Sequence, residues 1–148
     1  RPALIATLRD GDGVLQGVEV KLLSPHGTAK AAVPTPRRVI GKLIGGAVRL
    51  AEPAETLVVA EGVETALSAS DEIGLPAWAL LTADNLPRFE PPAGITHLVI
   101  AADNDPAGRA AMEALRARLS GSIRVGFTFP PKGFNDWNDW ARARFQNR

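Results

Sequence analysis

Asp103 and Asp105 stand one residue apart at the end of the apolar run HLVIAA at 97–102, and Glu61 directly follows a second such run, TLVVA at 56–60. Near-continuous apolar runs of this length read as buried parallel strands. Charge at their carboxyl ends faces the crevice where ligands of open α/β sheets bind. An unpaired buried carboxylate is costly, so Asp103 in particular calls for a partner. If the two strands are neighbours, Glu61, Asp103 and Asp105 converge. Three hard oxygen ligands with no His or Cys beside them favour Mg²⁺ or Mn²⁺ over zinc. Such an ion works on phosphates, neutralising their oxygens while a nucleophile attacks in line. Taken singly, Asp105 also serves as a helix cap and Glu61 as a first-turn glutamate facing a helix dipole. Only the three together carry the metal reading.

Holding these acids requires strands and helices in alternation, and the chain has that pattern from Thr56 onward. After the strand at 56–60, Val63, Ala66, Leu67, Ser70 and Ile73 fall at helical spacing and stop at Gly74. Residues 77–81 form the next strand and 84–89 a short turn or helix. Asp105 is a good N-cap and Pro106 suits the first helical position, with Ala107, Ala110, Ala111, Ala114, Leu115 and Leu119 on one face. Ile123, Val125, Phe127 and Phe129 alternate as a half-buried edge strand does. Beyond the loop PPKG at 130–133, Asp136 caps a last helix with Trp137, Trp140, Ala141 and Phe145 on a common face. This predicts an α/β fold with a mainly parallel sheet of four to five strands, flanked by helices and joined by right-handed crossovers.

The first third differs. Residues 4–8 and 14–23 read as a hairpin around the turn DGDG at 10–13, with Val18, Val20 and Leu22 alternating with Glu19 and Lys21. Residues 25–50 are punctuated by Pro and Gly and carry Lys30, Arg37, Arg38, Lys42 and Arg49; the glycines lack the spacing of a phosphate-binding P-loop. The expected division is a small, basic, β-rich subdomain over 1–52 and a catalytic domain over 53–148.

The 148 residues suffice for one real core. Cysteine is absent, which excludes disulfides and thiolate metal sites. Without an 18-residue apolar run or a signal-peptide pattern, the expectation is a cytoplasmic protein with no membrane contact. Charge is unevenly spread: residues 1–50 hold eight Lys/Arg against three Asp/Glu, residues 51–113 two against eleven, and residues 114–148 seven against two. An acidic middle between basic ends suits a metal-binding core beside walls that hold a polyanion. Arg37, Arg38 and Lys42 are candidates to hold triphosphate or template phosphates, and Arg109 to reach a phosphate at a helix N-terminus. Trp137 and Trp140 are assigned to core packing rather than base stacking, and His26 and His97 to structure.

EGVETALS at 61–68 followed by ADNDPAG at 102–108 resembles the Toprim domain shared by bacterial-type primases, primase-helicases, topoisomerases and some nucleases. DWND at 136–139 is similar to the third motif, D-x-N-D/E, of plasmid and phage primases. The resemblance covers residues 56–140; the hairpin region resembles, more weakly, the small subdomain preceding Toprim in such primases. It implies a Toprim-like fold, Glu61 as general acid/base, Asp103 and Asp105 as metal ligands joined by Asp136, and Asp139 on the nucleotide side of the same pocket. Two positions depart from the pattern. Thr65, with Glu64 beside it, stands where many relatives carry aspartate, and Asn135 where related primases often carry lysine, leaving Lys132 as the substitute.

The implied function is primase activity: Mg²⁺- or Mn²⁺-dependent nucleotidyl transfer from nucleoside triphosphates on a single-stranded DNA template, with a helicase or other replication domain in the parent protein. A Toprim nuclease using the same acids on water is the alternative, and a DNA-holding module without turnover a third. A topoisomerase is disfavoured because the chain has no tyrosine to serve as the covalent nucleophile.

Overall fold

The computed structural model describes residues 1–146. Asp10 opens the fold with an Asx turn, its Oδ1 accepting from the N–H groups of Asp12 at 3.0 Å and Val14 at 2.9 Å. That turn reverses the chain between β1 (Ala3–Arg9) and β2 (Leu15–Leu22), which pair antiparallel. Two more strands lie in the stretch that its prolines and glycines mark only as turns. β3 (Arg37–Gly41) pairs with β2, and the three-residue β4 (Ala47–Arg49) pairs with β1. β4 is too short to show a period of two in sequence.

The remaining strands are β5 (Thr56–Ala60), β6 (Ala77–Ala79), β7 (His97–Ala101) and β8 (Arg124–Thr128). They form the expected parallel sheet of four strands, with β8 at its edge. β4 pairs antiparallel with β6, so all eight strands make one sheet in the order β3-β2-β1-β4-β6-β5-β7-β8. Helices α1 (Val63–Ile73), α2 (Pro106–Leu119) and α3 (Trp137–Gln146) supply the crossovers and the last element.

Both faces of the parallel strands are buried, which is why their sequences are apolar at successive positions rather than alternating. Leu57, Val59, Leu98 and Ile100 pack with Met112 and Leu115 of α2, while Val58 and Ala60 pack with Val63 and Ala66 of α1 and Trp137 of α3. α1 stops where expected: Gly74 takes the left-handed conformation at φ 76° and donates its N–H to the Ser70 carbonyl at 2.8 Å. In α3 the expected common face is only partly realised. Trp137 is buried and Trp140 half-buried, but Phe145 is 75% exposed, because eight residues of helix carry it about 80° round from Trp137. Among the described residues no helix is long and apolar enough to cross a membrane.

Candidate functional site

β5 and β7 run parallel and in register through the pair Ala60 and Ala101, so they end side by side. The chain leaves β5 as Glu61 and β7, two residues further on, as Asp103. Both line an open groove of about 910 Å³ together with Asp136 and Asp139 at the start of α3. A short stitch brings the distant Asp136 there. Asn104 donates its backbone N–H to the Asn135 carbonyl at 2.7 Å and its Nδ2 to the Phe134 carbonyl at 2.8 Å. Asp136 then caps α3, its Oδ1 accepting from the N–H of Asp139 at 2.8 Å.

Charge accumulates at this corner. Burial first, then the neighbouring carboxylates Glu61, Asp136, Asp105 and Asp139, push the Asp103 carboxyl from 3.8 up to about 7. Its Oδ1 is buried without any hydrogen-bond partner. Glu61 is raised too, by burial and then by Asp105, against the opposing pull of Arg37. An orphaned buried carboxylate oxygen among like charges is what a cation would satisfy, and an all-carboxylate donor set suits Mg²⁺ or Mn²⁺.

The convergence of Glu61, Asp103 and Asp105 on one point needs correction. Among the described residues no three such side chains stand close enough to form a metal cage. Glu61 and Asp103 face the groove, whereas Asp105 is turned into the helix, its Oδ1 accepting from Gly108 N–H at 2.7 Å as the N-cap of α2. Asp105 thus acts on its neighbours as a charge and retains Oδ2 for a further contact. A hard ion fits this looser arrangement, since Mg²⁺ is commonly held by one or two carboxylates with water and substrate phosphates completing the shell. Gly108 packs closely here: a Cβ at that position would fall 3.2 Å from both the Asp103 carbonyl oxygen and Asp105 Oδ1.

Lys21, Lys30, Arg37 and Arg142 line the same groove, together with Glu19 and Glu64. Lys21 is 4% exposed and donates to Glu64 of α1. Burial alone would raise the Glu64 carboxyl, but the Lys21 hydrogen bond and charge outweigh it and hold it below the ordinary value. Arg37 is paired with Glu19, which is 1% exposed. Lys30 and Arg142 have no carboxylate partner among the described residues.

Sequence reasoning singled out Arg37 but not Glu19, Lys21 or Arg142. The alternation along β2 is real, yet its polarity is the reverse of an ordinary amphipathic strand. The charged side faces the groove, while Ile5 and Ile40, beside Val20 and Val18 on the other side, are 63% and 57% exposed. Opposite charges at i and i+2 on a strand are the signal that points to this inversion. The remaining predicted cations lie elsewhere. Arg38 is exposed on the opposite side of β3 from Arg37, and Lys42 is exposed just beyond that strand. Arg109 donates to Asn104 Oδ1 at 3.2 Å and lies over the Phe129 ring at 4.9 Å, and Lys132 is exposed in the turn before α3. None of these four lines the groove. Trp137 is core, as expected.

Comparison with known proteins agrees with this architecture. The chain is similar in fold to the primase fragment of the bacteriophage T7 primase-helicase protein, with a TM-score of 0.66 and 19% identity over 97% of this chain and 58% of that one. A DNA primase domain from Pseudomonas aeruginosa gives a TM-score of 0.64 at 18% identity over 99% and 50% of the two chains. A DnaG primase catalytic domain bound to ssDNA gives 0.61 at 18% identity over 98% and 49%. The chain therefore spans about half the length of the structures it matches. No curated protein matches it in sequence. Residues 1–50 match a domain of unknown function, and residues 56–146 match the Toprim domain. The latter stretch is more than half of the chain and carries Glu61, Asp103, Asp136 and Asp139, so the chain belongs to the Toprim domain family.

Proposed function

We propose that this chain is the catalytic core of a primase, joining nucleoside triphosphates on a single-stranded DNA template by metal-dependent nucleotidyl transfer. The observation that carries the proposal is Asp103: a buried, unpartnered oxygen ringed by carboxylates at the carboxyl end of a parallel sheet, on a residue that lines one groove together with cations. The fold shared with primase cores supports it.

Asp103, with one further carboxylate at a time from Glu61 or Asp136 and the second oxygen of Asp105 in reserve, would hold Mg²⁺ or Mn²⁺ in a shell completed by water and phosphate oxygens; the ion would supply charge neutralisation at the phosphates and acidify the primer hydroxyl. Glu61, at the end of β5 in the same groove, takes the proton of the attacking 3′-hydroxyl. Lys30 and Arg142 hold phosphate oxygens, being the lining cations without carboxylate partners. Asp139, exposed at the rim, orders the nucleotide side of the groove. Arg38, Lys42, Arg109 and Lys132 lie off the groove, where they meet template phosphates. In this reading the parent protein is cytoplasmic and carries a helicase or other replication domain.

Primer synthesis on single-stranded DNA with ribonucleotides and Mg²⁺ or Mn²⁺ tests the proposal. Product should require the metal, fall about 10²–10⁴-fold in Glu61→Ala and vanish in Asp103→Ala. Equal product from both variants overturns the site. Metal-dependent DNA cleavage without synthesis replaces the primase with a Toprim nuclease, and DNA binding without either activity makes the chain a holding module.

A further inference from the structure

Arg37 lines the groove, yet two acceptors already hold its guanidinium: Nε donates to Glu19 Oε1 and Nη2 to the Leu81 carbonyl. Leu81 is unusual. It is the one residue other than glycine with positive φ among the described residues, at 70°, a conformation that L side chains avoid. Its side chain is buried, and its N–H donates to the carbonyl of Glu61 at 2.7 Å. The two backbone polar groups of Leu81 thus tie Arg37 to Glu61. Glu19, buried on β2, anchors the other end.

We propose that Glu19 and Arg37 are positioning residues for the acidic corner: Arg37, fixed by Glu19, locks Leu81 in its left-handed turn, and Leu81 sets the direction in which Glu61 leaves β5. The inference rests on reading Glu61 and Asp103 as the seat of a divalent cation. It gives Arg37 a task other than phosphate binding. A fork that bridges a carboxylate and a carbonyl uses the fixed geometry of guanidinium, and an ammonium on a flexible stem does not reproduce it.

The test is titration of the whole chain with Mn²⁺ alone, followed by ATP in the presence of Mn²⁺, for wild type, Arg37→Lys, Arg37→Ala and Glu19→Gln. Far-UV circular dichroism confirms folding of each, and if Arg37→Ala fails to fold the other two carry the same test. Each folded variant should bind Mn²⁺ about tenfold more weakly, as loss of a supporting partner typically does, with lysine no better than alanine at residue 37. Hydrogen exchange at the Leu81 amide should speed up in the same variants. Wild-type Mn²⁺ affinity in all of them, with ATP binding lost only in Arg37→Ala, makes Arg37 a phosphate holder and overturns the inference. Failure of the wild type itself to bind Mn²⁺ overturns instead the metal-dependent function on which it rests.

Discussion

Asn104 donates its side-chain amide to the Phe134 carbonyl at 2.8 Å and its backbone N–H to Asn135 at 2.7 Å, across a gap of some thirty residues in sequence. This stitch is what places Asp136 beside Asp103. Asn104→Ala removes the side-chain bond and also the contact of Oδ1 with Arg109. The expected loss is about 1 kcal/mol of stability, measured by denaturant unfolding, with a larger fall in Mn²⁺ affinity than that modest loss would suggest. Unchanged Mn²⁺ affinity would mean that the loop does not position the acids.

Gly108→Ala sets two effects against each other. Alanine is the better helix former by about 1 kcal/mol, but its Cβ would press on the Asp103 carbonyl oxygen and Asp105 Oδ1, both at 3.2 Å. Overpacking against backbone costs about 1–3 kcal/mol, so the net change is destabilising. Thermal unfolding should show a lowered Tm together with reduced synthesis; a raised Tm means that the helix end can move away from the acids.

Asp103 gives stability an inverted pH dependence. Its folded carboxyl titrates at about 7 against 3.8 in the unfolded chain, so between those values the folded state binds more protons. Stability contributed by this residue is therefore complete at low pH and declines as pH rises through that window. Asp103→Asn mimics the protonated form. It should raise Tm at pH 8, by about 2–4 °C for each kcal/mol of repulsion relieved, and leave it little changed at pH 4, while abolishing synthesis. A lower Tm at pH 8 contradicts the strained-carboxylate account.

Lys21 is buried and Glu64 partly exposed, so the two ends of their ion pair differ. Glu64→Ala strands a buried ammonium; the cost is below the roughly 3–5 kcal/mol seen when a fully buried pair is broken, because solvent reaches Glu64. Lys21→Met removes the charge from the buried end and should be the milder change in urea unfolding. The reverse order would place the strain on the Glu64 side.

Much of this was legible in the chain because the physics is local. The strands at 56–60 and 97–101 announce themselves by unbroken apolar runs, and Asp105 with Pro106 marks the start of α2 at the residue where it begins. The acids at the two strand ends follow from those elements. β3 and β4 were hidden because they are short strands held by their neighbours in the sheet, not by pattern. The groove wall was hidden for a related reason. Whether the charged or the apolar side of β2 faces inward depends on what β2 lies against, and Glu64, Leu81 and Arg142 are distant in sequence from Lys21. Asp105 was legible as the N-cap of α2, and its Oδ1 accepts from Gly108 N–H as that role requires; its place at a strand end could not by itself show that the cap turns it away from the other two acids.

Anomalous diffraction from crystals soaked with Mn²⁺ and a non-hydrolysable nucleoside triphosphate tests the central claim most directly. A peak within coordination distance of Asp103 Oδ1 is predicted, with triphosphate oxygens completing its shell on the side of Lys30 and Arg142. Mn²⁺ bound elsewhere, with Asp103 Oδ1 still lacking a partner, would contradict it.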